Sequence, residues 1–155
     1  MIKEVKGKDL ARALNLVNTM FSQFVAADYS EQGKAAFENY LKTKLEETTT
    51  QVKSGHKKIW GYYKDGEILG VIATQNTTHI SLMFVDKHHH RKGIARQMFD
   101  FVLENLRMDE SVTRVTVNSS PYAVKIYQRL GFVQSGEKQE KDGIIFIPMA
   151  FVVQK

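Results

Sequence analysis

The stretch Leu82-Met83-Phe84-Val85-Asp86-Lys87-His88-His89-His90-Arg91-Lys92-Gly93-Ile94-Ala95-Arg96-Gln97-Met98-Phe99 decides the fold. It opens as an apolar, strand-like run, passes through a basic loop with one glycine, and enters an amphipathic helix. Ile94, Met98, Phe101 and Val102 are spaced to share one helical face, which Phe99, Leu103 and Leu106 widen. A strand that feeds a helix through such a turn is a place to hold an anion. The first-turn N–H groups of a helix have no intrahelical partner, and the helix dipole puts partial positive charge there. An anion contact of this kind stabilises by about 0.3–1 kcal/mol, and by about 2 kcal/mol when partly buried. Lys87, Arg91, Lys92 and Arg96 add full charges. Two nucleotide signatures are missing: no G-x-x-x-x-G-K-[ST] loop occurs, and no G-x-G-x-x-G follows a strand. Any phosphate site here is of another type.

The rest of the chain sets bounds on that reading. At 155 residues a single domain with a real core is the natural expectation. The absence of cysteine excludes disulfides, thiolate metal sites and cysteine nucleophiles. Met1-Ile2-Lys3-Glu4-Val5 has no signal-peptide pattern, and no apolar run is long enough to span a bilayer, so a cytoplasmic protein without membrane contact is expected. A net charge of +5 and a pI near 9.3 suit an anionic ligand, either a phosphorylated cofactor or nucleic acid.

Upstream, Ile2 to Val5 reads as a first strand. Asp9 opens a helix carrying Leu10, Leu14, Val17, Phe21 and Phe24 at helical spacing and ending near Asp28-Tyr29. Ser30 is an N-cap for a second helix with Phe37, Tyr40, Leu41 and Leu45 along one side, decaying into a loop at Thr48-Thr49-Thr50 and Ser54-Gly55. A meander follows: Lys58 to Lys64, the hairpin turn Asp65-Gly66, Ile68 to Gln75, and Ile80 to Val85. Beyond the quoted stretch, Val112 to Asn118 alternates as a strand. Ser120 as N-cap and Pro121 at the first helical position start a helix over Tyr122 to Leu130 that ends at Gly131. Phe132-Val133, Ile144 to Ile147 and Met149 to Val153 supply closing strands, with Asp142-Gly143 as a turn. The expected fold is α+β.

From about Ile59 onward the chain resembles the GNAT family of acyl-CoA-dependent N-acyltransferases. The family's central motif is Gln or Arg, two residues, Gly, one residue, then Gly or Ala, and it reads here His90-Arg91-Lys92-Gly93-Ile94-Ala95. A second block, Val117-Asn118-Ser119-Ser120-Pro121-Tyr122-Ala123-Val124-Lys125-Ile126-Tyr127-Gln128-Arg129-Leu130-Gly131-Phe132, is closer still. The resemblance implies a GNAT-like fold: a central mixed, mostly antiparallel twisted sheet of about seven strands flanked by about four helices. It implies acetyl-CoA as co-substrate, with the pyrophosphate held by backbone N–H groups of the segment Arg91, Lys92, Gly93, Ile94, Ala95 and Arg96, and with His90 also among the cofactor-binding residues. Gly93, without a Cβ, lets a diphosphate approach the backbone. Phe84 and Val85, at the end of a strand that splays from its neighbour in this family, would pair with the pantetheine arm, and one N–H would polarise the thioester carbonyl. Tyr127 matches the tyrosine that protonates the departing thiolate, and a phenol stays protonated at neutral pH. Asn118 would contact cofactor or acceptor.

His90 stands where Gln or Arg is usual; because the loop binds through backbone, binding is expected to survive with an altered pH dependence. No metal is expected from His88-His89-His90, since consecutive residues do not converge on one ion without a distorted loop. Phe21, Phe24 and Asp28, in the region where the family shapes its acceptor pocket, are the substrate-lining candidates. The acceptor would be a small-molecule or peptide amine; a homodimer is left open. Asp28, Glu31, His79 and Ser81 are candidates for a general base, and no motif selects among them. Two rivals are a non-catalytic acyl-CoA sensor and a basic nucleic-acid-binding module. The second lacks a recognisable motif, and its charges are dispersed beyond Lys87 to Arg96.

Overall fold

The computed structural model describes residues 1–20, 22–23, 29–43, 45–141 and 143–154. In chain order its elements are β1 (Ile2–Glu4), α1 (Asp9–Met20), α2 (Glu31–Thr43), α3 (Leu45–Ser54), β2 (Lys57–Lys64), β3 (Glu67–Gln75) and β4 (His79–Val85). They continue with α4 (Ile94–Arg107), β5 (Arg114–Ser119), α5 (Val124–Leu130), β6 (Val133–Gln134), β7 (Gln139–Lys141) and β8 (Ile144–Val152). Short 3-10 turns cover Lys87–His89 and Pro121–Ala123. No described helix is long and apolar enough to cross a membrane.

The strands run in the order β1-β2-β3-β4-β5-β8-β6, with β7 on the far end of β8. Every pairing is antiparallel except β4–β5, which is parallel and joined by the α4 crossover. The sheet is therefore mixed and mostly antiparallel. Its faces carry two cores. Trp60, Ile72, Ile80, Val115 and Met149 pack with Ile94, Met98, Phe99 and Val102 of α4. Val5, Ile59, Val71, Ala73 and Leu82 pack with Leu10, Ala13, Leu14 and Val17 of α1. β3 is buried on both faces, which explains its unbroken apolar run. Gly70 lets α4 come down onto β3, since a Cβ there would lie 3.0 Å from Met98 Cε and 3.1 Å from Ile94 Cγ2. That close approach sets the start of α4 beside the end of β4.

Three local expectations change. Thr48-Thr49-Thr50 lies inside α3 and not in a loop. Thr48 is buried, and Val52, one turn on, packs against the α1-side core. Burial there outweighs a helix penalty of a few tenths of a kcal/mol per threonine. Only the second break signal acts, with Gly55 (φ +82°) donating its N–H to Val52 O at 3.2 Å. The closing segment is one strand through Pro148, which sits opposite Asn118 and accepts from Ser135 N at 2.9 Å. The helix after Ser120 begins as a 3-10 turn, with Ser120 Oγ accepting from Ala123 N at 3.2 Å. The extension of α1 through Phe21 and Phe24, the side chains of Phe37, Tyr40, Leu41 and Leu45, and Asp142 of the hairpin turn lie outside the described residues.

Candidate active site

The only parallel pairing in the described sheet is also its weak point. β4 and β5 are paired at His79↔Thr116 and Ile80↔Val117 and nowhere beyond, so from Ser81 onward the two strands diverge as a fork. On its other side β4 stays paired with β3, through Ala73↔Leu82, Ile72↔Met83, Val71↔Phe84 and Gly70↔Val85. Asp86 N donates to Leu69 O at 2.8 Å, which fixes the alternation. Phe84 therefore turns its N–H and C=O toward Val71, while Met83 and Val85 turn theirs into the fork. The Phe84 backbone groups are thus taken up by β3 and its side chain packs on the α1-side core, although it also lines the cavity; Met83 and Val85 are the residues whose backbone groups open onto the fork. The missing information was the register with β3, which alternation alone does not supply.

The loop after β4 is built to present N–H groups. Asp86 accepts from His88 N at 2.9 Å and from the His89 ring at 3.3 Å. Burial opposes the Asp86 charge, yet the His88 N–H and the His89 ring outweigh it and hold the carboxyl below its usual range. Arg91 (φ +62°) and Gly93 (φ +78°) both adopt left-handed backbone, which turns the chain sharply on either side of Lys92. A Cβ on Gly93 would meet only Gln97 Nε2, at 3.8 Å, so within the protein the demand for glycine is conformational. Gln97 N→Gly93 O, at 3.0 Å, is the first helical bond, which leaves the N–H groups of Ile94, Ala95 and Arg96 without intrahelical acceptors.

The rings of His89 and His90 turn to different partners. His90 Nε2 lies 2.7 Å from Val85 O and donates to it, since a carbonyl only accepts. His89 leans on Asp86. Among the described residues no group of three or more His, Asp and Glu is placed to hold a metal. Arg96 donates to the backbone carbonyl of Arg129, tying the start of α4 to the end of α5.

These parts enclose one cavity of about 540 Å³, within the range of small-ligand sites. Of the expected cofactor-binding residues, Phe84, Val85, His90, Arg91, Gly93, Ile94, Ala95, Arg96, Asn118 and Tyr127 line it, and Lys92 does not. Tyr127 is 5% exposed, edge-on to Phe132 at 5.4 Å, and burial pushes its phenol above the ordinary tyrosine range. It is therefore an acid that keeps its proton. Met20 and Tyr29 border the cavity from the α1 side. Phe21, Phe24 and Asp28 lie outside the described residues. Of the base candidates, Glu31 is exposed at the start of α2, and His79 is bonded to Thr116 Oγ1 at 2.9 Å at the closed end of the fork. Ser81 lines the cavity.

Residues 25–153 match the family model described as "Acetyltransferase (GNAT) domain". The chain is 28% identical to the UPF0157 protein YqkA of Bacillus subtilis (strain 168) over 104 residues, 65% of this chain and 30% of that protein. It is 31% identical to the N-acetylaspartate synthetase of Danio rerio over 88 residues, 52% of this chain and 31% of that protein. It thus spans about three tenths of the length of these curated relatives. The solved PaiA N-acetyltransferase of Thermoplasma acidophilum, in complex with coenzyme A, superposes with a TM-score of 0.75 at 15% identity, covering 98% of both chains. With the split sheet, the N–H-lined loop and the matched family model all falling on the same residues, the chain belongs to the GNAT acetyltransferase family.

Proposed function

We propose that this protein transfers an acetyl group from acetyl-CoA to a primary amine of a small molecule or peptide, by direct attack in a ternary complex. The observation that carries the reading is the convergence, on one cavity, of an N–H-lined cationic loop, an open strand edge and a buried phenol. The loop from Arg91 to Arg96 suits a diphosphate, whose charge the α4 dipole and the arginines offset. The coenzyme A complex of the Thermoplasma relative supports a ligand of that class.

From the loop, a pantetheine arm laid along the fork runs back down β4 and meets the outward groups of Val85 and then Met83. An N–H there donates to the thioester oxygen and stabilises the charge that develops on it during attack. As the C–N bond forms and the C–S bond breaks, the thiolate leaves, and Tyr127 donates the proton that neutralises it. The acceptor approaches from the side of Met20 and Tyr29. It must arrive as, or become, the free amine, which for a lysine-like group costs about 4–5 kcal/mol at pH 7.

The test is release of coenzyme A thiol from acetyl-CoA, followed with a thiol reagent; the chain has no cysteine to give a background. A panel of spermidine, aspartate, an alanyl peptide, a lysyl peptide and an aminoglycoside covers the amine classes. Amine-dependent release by one or more of them is the expected result. No release above hydrolysis with any amine, or an acetylated protein that forms and turns over, would overturn the proposal.

A further inference from the structure

One internal hydrogen bond stands in the cavity at the point where the fork opens toward the loop. Val85 is the last residue of β4, and its carbonyl turns away from β3 into the fork. The pairing with β5 has ended far back, at Ile80↔Val117, so the sheet brings the Val85 carbonyl no donor from that side. The His90 ring brings one instead, with Nε2 donating to Val85 O at 2.7 Å. Both residues line the cavity. Nε2 is at the outer edge of the imidazole, so the ring itself stands beside the strand end.

The loop is shaped to put it there. Asp86 caps the 3-10 turn Lys87–His89, accepting from His88 N at 2.9 Å. His90 follows in extended backbone (φ −66°, ψ 154°), and the left-handed Arg91 doubles the loop back on β4. A side chain five residues on from Val85 thereby returns to that residue's own carbonyl.

We infer that the His90 ring is a placeholder, holding the Val85 carbonyl in the free protein and swinging aside when the pantetheine arm of acetyl-CoA takes that oxygen. The inference rests on the acetyl-transfer reading. Pantetheine carries secondary amides, and an arm laid along β4 offers an N–H to the Val85 carbonyl. Such a nitrogen settles about 2.9 Å from its acceptor, much as the ring nitrogen does now. An arm running from the loop into the fork also passes the strand end where the ring stands, so the two compete for space as well as for the oxygen. Binding exchanges one N–H···O bond for another, and the carbonyl is paired in both states. Only molecules whose ring has swung away admit the arm, and the apparent affinity is lowered by that fraction. His90 touches no reacting atom in this scheme; it sets how readily the arm enters. ADP, which has a diphosphate and no arm, leaves the ring in place.

The experiment titrates wild type and His90→Ala calorimetrically with acetyl-CoA and with ADP, and follows the His90 imidazole of the wild-type protein by proton–nitrogen NMR. Removing the ring should tighten acetyl-CoA by about three- to tenfold and move ADP by less than about twofold, since one neutral hydrogen bond no longer has to be broken for the arm alone. In the wild-type spectrum the Nε2–H signal, assigned by its absence from the variant, should shift or vanish on saturation with acetyl-CoA and persist with ADP. If the variant does not fold, assignment through the His90 backbone lets the wild-type spectra decide. An acetyl-CoA affinity unchanged or weakened in the variant, an equal gain for ADP, or an Nε2–H signal unmoved by saturating acetyl-CoA would overturn the placeholder role alone. A wild-type protein that does not bind acetyl-CoA would overturn the acetyl-transfer reading itself.

Discussion

Replacing Tyr127 with Phe removes one oxygen and leaves the packing. The ring sits 5.4 Å from Phe132 in an edge-on contact and is almost wholly buried, so the phenyl keeps its place. Stability should change by no more than about 1 kcal/mol, the net worth of one hydrogen-bonding hydroxyl. For a domain of this size that moves Tm by about 2–4 °C. The rate should respond far more. Loss of a positioned proton donor costs about 10²- to 10⁴-fold, or about 2.7–5.4 kcal/mol of activation free energy. Burial raises the phenol's pKa above its ordinary value of 10.0, so the donor remains protonated through pH 10 and contributes no alkaline fall in wild-type kcat below that pH. The same shift has a sign for stability. A neutral form favoured by the fold leaves stability intact below about pH 10 and drains it as pH rises beyond, so the Phe variant should lose less between pH 10 and 11. The assay is thiol release at saturating acetyl-CoA, beside calorimetric binding of acetyl-CoA, which should stay within about threefold of wild type. An unchanged kcat in a folded variant would refute the role, as would a loss fully explained by weaker acetyl-CoA binding.

Gly131→Ala should destabilise by about 2–4 kcal/mol, from left-handed backbone strain and overpacking together. Its φ is +110°, and a Cβ would sit 2.8 Å from Phe151 Cε2, inside the Phe99, Phe132 and Phe151 cluster; urea unfolding measures it, and a loss under about 1 kcal/mol would mean the ring gives way. Tyr63→Phe should flatten the stability profile at both ends. The Tyr63 hydroxyl, then Arg12, lowers the Asp9 carboxyl below 3.8, so that contribution is present at neutral pH and is lost as pH falls through the acid range. Burial, then Asp9, raises Tyr63 to about 12, a contribution complete below pH 10 and lost between pH 10 and about 12. Melting curves at pH 3, 7 and 11 should show a smaller spread for the variant, and an equal spread would remove both linkages.

What the sequence disclosed depended on how local the determinant was. The strand, basic loop and helix from Leu82 to Phe99 were legible because apolar spacing and one glycine act within the segment. The Ser120-Pro121 start and the Gly131 stop are equally local, and each is made by its own side chain or its own φ. Thr48-Thr49-Thr50 misled because its helix depends on burial supplied by elements far away in the chain. That Met83 and Val85, and not Phe84, open their backbone groups onto the fork depends on Asp86 N reaching Leu69 O, a contact between strands. The His90 ring reaches Val85 O only because the loop doubles back at Arg91. Residue types announced the chemistry; register decided which backbone groups face it.

The most direct test of the central claim is calorimetric titration of the protein with acetyl-CoA, repeated with Gly93→Val and with a short DNA duplex. At φ +78° a β-branched residue is strained, and its side chain would stand where the diphosphate approaches the backbone. Single-site, micromolar binding of acetyl-CoA by the wild-type protein is expected, weakened by about tenfold or more, about 1.4 kcal/mol, in the variant. No specific uptake of DNA is expected. Absence of acetyl-CoA binding, together with DNA binding that weakens steeply with salt, would contradict the central claim.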